Sequence, residues 1–257
     1  MSRRSAIVTG AASGIGRAIA IRLAGEGFAV AVVDIQHEPR DGGLPTDELI
    51  RADGGSAAFL QADLGLPSAC EQVISDVVAR YGALDLLVNN AVLAGAHSKP
   101  LLETENADWE AMMAVNVSGP FVLSRATIRA MLRQPIRGEV RGRIINITSQ
   151  HGLVGAPGHF AYAVGKGALI QMTRQIAVEH ARDGILCNAV APGKIVTGAE
   201  GDLSESADGR DYVWSRTPFS RLGRPDDVAG AVAFLASGDA NYVSGVNLLV
   251  DGGWMAY

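Results

Sequence analysis

Seven short runs rich in β-branched and small apolar residues, at 5–9, 29–34, 57–62, 84–89, 143–148, 185–190 and 246–250, alternate with longer stretches of a different pattern. In those stretches, at 14–25, 67–81, 106–132, 159–182 and 225–237, apolar residues recur every three or four positions. The short runs read as strands buried on both faces. A helix between successive strands of that kind is the crossover that a parallel sheet requires. The alternation predicts an α/β fold, a doubly wound parallel sheet of about seven strands with helices on both faces. Neither a repeat nor a composition shift marks a boundary, and 257 residues suit one such domain, so 1–257 is read as a single unit.

Three segments break the alternation. Residues 36–45 and 134–142 are polar and read as solvated loops. The third, 194–218, holds Gly198, Gly201, Asp202, Ser204, Glu205 and Asp208. A loop of this length in a compact domain is usually functional. Because it follows a strand end at the carboxyl edge of the sheet, it is expected to be a mobile lid.

Charge and composition exclude several partners. A net charge of −5 and a pI near 5.5 give no basic field for a nucleic acid or an anionic membrane surface. No apolar run approaches the ~18 residues of a membrane span. The Arg3-Arg4 pair precedes an apolar stretch too short for an export signal. The two cysteines, of which Cys187 sits in an apolar run, read as reduced packed thiols and fit the cytoplasm. His37, His97 and His180 belong to no motif and are read as surface or packing residues, and no metal site is expected.

Glycines at 10, 14 and 16 come directly after the first strand and open the first helix, in the run Thr9-Gly10-Ala11-Ala12-Ser13-Gly14-Ile15-Gly16. Such a loop permits a tight turn and close backbone approach, and its helix N–H groups suit a pyrophosphate. Asp34, at the end of the second strand, supplies a carboxylate for the ribose hydroxyls of NAD and would repel the 2′-phosphate of NADP. Neither Ser13 nor Ile35 offers a cation to offset that repulsion, although Arg17, His37 and Arg40 lie near in sequence. NAD is therefore expected over NADP.

Tyr162 and Lys166, four apart on a predicted helix, face the same side. A cation so placed is expected to draw the phenol below its ordinary pKa of about 10. Ser149 ends a strand and can hold a substrate oxygen where the phenol takes its proton while hydride leaves the carbon. A phosphate cradle, a phenol, a cation and a hydroxyl in one chain point to a nicotinamide-dependent oxidoreductase.

From Ala6 to Gly253 the chain resembles the short-chain dehydrogenase/reductase family, whose fold is of the Rossmann type. The family's glycine motif matches Thr9 to Gly16, its adenine-side Asp matches Asp63 with Leu64 following, and Asn89-Asn90-Ala91 and the helix residue Asn116 match as well. Pro192-Gly193 with Ile195 and Thr197 match its nicotinamide-side loop, and Asp251-Gly252-Gly253 its closing strand. The resemblance implies a cofactor half of about 1–150 and a catalytic half of about 142–257. It implies Tyr162 as general acid/base, Ser149 as the orienter of the substrate oxygen and Lys166 on the nicotinamide ribose. Asn116 would hold a water in a proton relay, and the protein would be a homotetramer built on the helices starting near Asn106 and His159. Val92 departs from the pattern, standing where the family has glycine.

The resemblance implies that the positions directly after Ser149 and just before Tyr162 border the reacting carbon, and here they bring Gln150, His151 and His159, with Lys194 expected from the nicotinamide-side loop and Arg216 from the lid. An acyl or steroid pocket would leave so many polar groups without partners, at about 1–3 kcal/mol each. The expected substrate is thus small and polar, a sugar or sugar acid oxidised at a secondary hydroxyl or hemiacetal. The alternatives are an NADP-linked 3-oxoacyl-thioester reductase and a non-catalytic dinucleotide-sensing or scaffold protein.

Overall fold

The computed structural model describes residues 3–40, 42–136, 138–197 and 207–256. Seven strands form one parallel sheet: β1 (Ser5–Thr9), β2 (Ala29–Asp34), β3 (Ser56–Gln61), β4 (Leu86–Asn89), β5 (Gly142–Ile147), β6 (Ile185–Pro192) and β7 (Asn247–Val250). Their order is β3-β2-β1-β4-β5-β6-β7, with every pairing parallel. The order reverses between β1 and β4, and ligands of open α/β sheets bind outside the carboxyl strand ends at such a switch.

The helices are α1 (Gly14–Gly25), α2 (Thr46–Ala52), α3 (Pro67–Tyr81), α4 (Asn106–Met113), α5 (Gly119–Arg133), α6 (Phe160–His180), α7 (Ala207–Arg216) and α8 (Pro225–Ala236). A π-helical turn, Ala114–Ser118, joins α4 to α5, so the predicted helix 106–132 is one rod with a bulge. Alternation along β1 feeds both faces of the sheet. Ala6 and Val8 pack with Ile19 and Leu23 of α1 and Val228 and Val232 of α8, whereas Ile7 packs with Val73 and Val77 of α3 and Leu123 of α5. At about 1.5–3 kcal/mol for each buried Ile, Leu or Val, these two layers supply the main driving force for folding.

Sequence periodicity leaves two helices unpredicted. α2 is seven residues long, opened by Pro45 with Asp47 and Glu48 in its first turn. α7 lies inside the segment predicted as an irregular lid. Its apolar residues Tyr212, Val213 and Trp214 are consecutive, and only Val213 of the three is buried, so no helical stripe marks it. The lid residues Gly198, Gly201, Asp202, Ser204 and Glu205 lie outside the described residues, as does the side chain of Asp208. Among the described residues no helix is long and apolar enough to cross a membrane.

Candidate active site

Thr9, the last residue of β1, ties the switch point together. Its hydroxyl accepts the N–H groups of Asn90 at 2.9 Å and Ala91 at 3.0 Å. Asn90 in turn donates from Nδ2 to the carbonyls of Thr9 (2.8 Å) and Gly10 (3.2 Å), bracing the glycine loop from beneath. Gly10 turns with φ +63°, and a Cβ there would stand 2.8 Å from Ala91 Cα. A Cβ on Gly16 would run into the Gly10 carbonyl and Asn90 Nδ2.

The hydroxyl of Ser13, which begins α1, makes no helix cap; it accepts the Arg40 N–H at 2.7 Å instead. The first-turn N–H groups of α1, at Gly14, Ile15 and Gly16, thus have no side-chain cap, an arrangement that fits a dinucleotide pyrophosphate. Asp34 is held against this loop. Its carboxylate accepts the N–H of Ala12 at 3.0 Å and of Ile35 at 2.8 Å. Asp63 is exposed, with one oxygen turned onto the Gly65 N–H at 2.9 Å, while Leu64 is buried in the core. Arg17 donates to the Leu44 carbonyl at 2.8 Å and to Thr46 Oγ1 at 3.3 Å, so its charge is anchored to the segment after β2.

Ser149 stands two residues beyond β5, buried, and its Oγ accepts the His151 N–H at 3.1 Å and hydrogen-bonds Tyr162. One helical turn along α6, Lys166 is 4% exposed; its Nζ donates to the Ile147 carbonyl at 2.7 Å and lies 5.7 Å from the centre of the Tyr162 ring. Burial pulls Lys166 down to about 8. Burial also raises the Tyr162 phenol above its ordinary value, with the Ser149 hydrogen bond opposing. Desolvation of the phenol therefore outweighs the expected downward pull of Lys166 in this structure, because the ammonium is itself destabilised and turned toward a main-chain carbonyl.

Asn116 is buried in the π-helical turn, a device common at functional sites. Its carboxamide accepts the Leu93 N–H at 2.8 Å and donates to the Leu93 carbonyl at 2.9 Å and to Met112 Sδ at 2.9 Å, clamping the loop after β4. Val92, in that loop, needs no left-handed backbone, since no described residue other than glycine has positive φ; its side chain is exposed.

Across the site, a Cβ on Gly193 would meet Asp251 Cα at 2.7 Å, which fixes Pro192-Gly193 against the start of the C-terminal turn. Ile195 is buried and bridged to Gly223, and Thr197 comes to rest over Gly14. Gln150 is 3% exposed, with Nε2 3.4 Å from His151 Nε2 and Oε1 lacking a hydrogen-bond partner among the described residues. The His151 and His159 rings are 5.7 Å apart, and His159 meets Tyr162 edge-on at 6.2 Å. Burial holds both imidazoles below their usual range, helped by the charge of Lys194, so both are neutral at pH 7. Arg216 lines a cavity with His151 and so joins the polar residues predicted from sequence.

Sequence reasoning missed Tyr212, Trp254 and Met255, which line the same cavity. Nothing local to the last residues shows that they fold back to this edge. The nearest signal is Asp251-Gly252-Gly253, where glycines at φ +65° and +89° reverse the chain. His97 pairs with Asp108, His180 with Asp183, and His37 with Asp47 under the Phe59 ring, none of them with Ser149, Tyr162 or Lys166. Among the described residues no group of three or more His, Cys, Asp or Glu is placed to hold a metal.

The family model adh_short_C2, described as Enoyl-(Acyl carrier protein) reductase, matches residues 10–255. The chain is 35% identical over 257 residues to glucose 1-dehydrogenase 2 of Bacillus subtilis (strain 168), covering 100% of this chain and 96% of that protein. It is 37% identical over 250 residues to the 3-oxoacyl-[acyl-carrier-protein] reductase FabG of Staphylococcus epidermidis (strain ATCC 35984), covering 97% and 98%. A solved candidate NAD(P)-dependent gluconate 5-dehydrogenase from Beutenbergia cavernae, with NADP bound at low occupancy, superposes with a TM-score of 0.89 at 36% identity, covering 100% and 98%. The parallel sheet, the glycine cradle and these likenesses converge: the chain belongs to the short-chain dehydrogenase/reductase family of oxidoreductases.

Proposed function

We propose that the protein is an NAD-dependent dehydrogenase that oxidises a secondary hydroxyl of a small polar substrate, a sugar or sugar acid, to the carbonyl. The observation that carries this reading is the meeting of Ser149, Tyr162 and Lys166 beside a glycine loop whose helix start lacks a side-chain cap. Gly10, Ser13, Gly14, Ile15 and Gly16 hold the pyrophosphate, Asp34 and Ile35 border the adenosine ribose, and Asp63 and Leu64 the adenine. Asn90, Ala91, Pro192, Gly193, Ile195 and Thr197 shape the nicotinamide side. When bound, the oxidised dinucleotide supplies the hydride acceptor and a positive ring that favours the phenolate.

Ser149 Oγ holds the substrate oxygen, and Tyr162 Oη takes its proton as the carbon loses hydride. Lys166 fixes the nicotinamide ribose and keeps a cation one turn below the phenol. Asn116, whose carboxamide is engaged with Leu93, would hold the relay water from its place in the π-helical turn. Gln150, His151 and His159 offer neutral hydrogen-bond partners to substrate hydroxyls, and Lys194 and Arg216 attract a carboxylate. Phe121, Val164 and Val178, exposed on α5 and α6, support a homotetramer built on these helices.

A second reading, reduction of a 3-oxoacyl thioester with NADP, is favoured by the FabG relative and by the NADP-bound neighbour. Asp34 argues against it, since its fixed carboxylate would face a 2′-phosphate. Comparing kcat/KM for gluconate-type acids with NAD and for 3-oxoacyl thioesters with NADPH tests the choice. Higher efficiency with the thioester and NADPH overturns the first reading.

A further inference from the structure

The C-terminal turn is built rigidly and leans on the lid helix. Asp251 accepts the N–H groups of Gly253 and Met255, each at 2.9 Å, which pins residues 254–256 in a short helical turn. Phe219 donates its N–H to the Gly252 carbonyl at 3.0 Å, and a Cβ on Gly252 would stand 2.9 Å from Thr217 Cγ2, so the turn and the segment after α7 are in contact. Trp254 is 5% exposed. Tyr212 of α7 meets its ring edge-on at 5.9 Å, and the Arg216 guanidinium lies 5.5 Å from its centre, within cation–π range.

Between this turn and the chain after β5 lies a cavity of about 170 Å³, lined by His151, Ala156, Tyr212, Arg216, Trp254 and Met255 among others. His151 belongs to both sites, because its N–H reaches Ser149 Oγ and its side lines the cavity. His151 thus stands between the cavity and Ser149. Its size is below the ~300 Å³ at which ordinary small-molecule sites begin, and its lining includes the cationic Arg216.

We infer that the Trp254–Met255 turn is the far wall of the substrate pocket and, with Tyr212, sets the length of the anionic substrate accepted. The inference rests on the reading that the His151 side of Ser149 and Tyr162 receives the substrate. Trp254 acts as a positioning residue for Arg216, while Met255, only partly buried, faces the cavity and limits reach. A substrate with its hydroxyl at Tyr162 and its carboxylate near Arg216 is the kind this wall admits, and one with a longer chain between the two groups meets Met255.

The test is calorimetric binding of glycerate, gluconate and 7-hydroxyoctanoate to the full-length protein saturated with NADH, for wild type, Met255→Ala and Met255→Trp. Truncation removes about three methylene equivalents of wall, so Met255→Ala should bind 7-hydroxyoctanoate, whose hydroxyl and carboxylate are farther apart than those of gluconate, at least ~10-fold more tightly than wild type. Met255→Trp should weaken gluconate at least ~10-fold and leave glycerate within ~3-fold. Thermal midpoint and NADH affinity, both expected unchanged, show that each variant is folded. Selectivity unchanged in both folded variants overturns the inference, as does failure of all three acids to bind wild type. Binding that shifts as described without any oxidation of gluconate leaves the wall in place and removes the sugar-acid reading alone.

Discussion

At the scale of single residues, burial pushes the Tyr162 phenol and the Lys166 amine in opposite directions. Tyr162→Phe should lower kcat by at least ~10²-fold, the scale of general acid–base assistance, with NAD affinity retained; near-normal turnover would remove Tyr162 from the chemistry. With the phenol raised, alcohol oxidation by wild type should accelerate as pH rises above neutral, and a flat profile would contradict that assignment. Lys166 titrates near 8 in the folded protein against 10.5 ordinarily. Between those values the unfolded chain keeps a proton that the folded one has released, so folding stability gains with rising pH across that window. Lys166→Met lacks the titration. Its stability relative to wild type should therefore fall by up to about 3 kcal/mol from pH 8 to pH 10.5, as measured by urea unfolding. These residues were legible in sequence because Tyr-x-x-x-Lys is a local spacing. The direction of the tyrosine shift was not, because desolvation depends on everything packed around the ring.

Among the elements, the β1–α1 turn carries the sharpest steric demand. Gly16→Ala would drive a methyl into the Gly10 carbonyl and Asn90 Nδ2, both tied to neighbouring strands. Its expected result is a weaker NAD complex, at least ~10-fold by titration, with a lower thermal midpoint; unchanged binding would mean that the loop can open. Asp34→Ser should narrow the NAD preference by removing a carboxylate held on the Ala12 N–H, and an unchanged NAD:NADP ratio of kcat/KM would remove Asp34 from selectivity. β1, β2, α1 and α3 could be read from sequence to their exact ends, since buried runs and glycine or proline punctuation coincide there. α2 and α7 could not. The first is short and anchored by Thr46, whose hydroxyl donates to the Ala11 carbonyl at 2.9 Å; the second shows little apolar periodicity. Tertiary contacts, which local propensity does not report, decide both.

For the whole molecule, a parallel sheet whose strand order reverses between β1 and β4 places cradle, hydroxyl and phenol along its carboxyl edge. The strand alternation foretold that edge. It did not foretell the C-terminal turn returning to the same edge, because the return depends on packing of Gly252 and Gly253 against residues 217–219. Both thiols lie in the two-faced core, and burial raises Cys70 to about 11 and Cys187 further, so neither should react with iodoacetamide in the native protein at neutral pH. On the proposed reading, this edge oxidises a small polar alcohol with NAD. Its most direct measurement is the appearance of reduced nicotinamide when wild-type protein and NAD are mixed with a panel of aldoses, sugar acids and hydroxyacyl thioesters, beside Tyr162→Phe. NADH should form with a sugar or sugar acid, and its formation should be abolished in the variant. NADH formation that survives Tyr162→Phe, or that occurs with the thioesters alone, would contradict that reading.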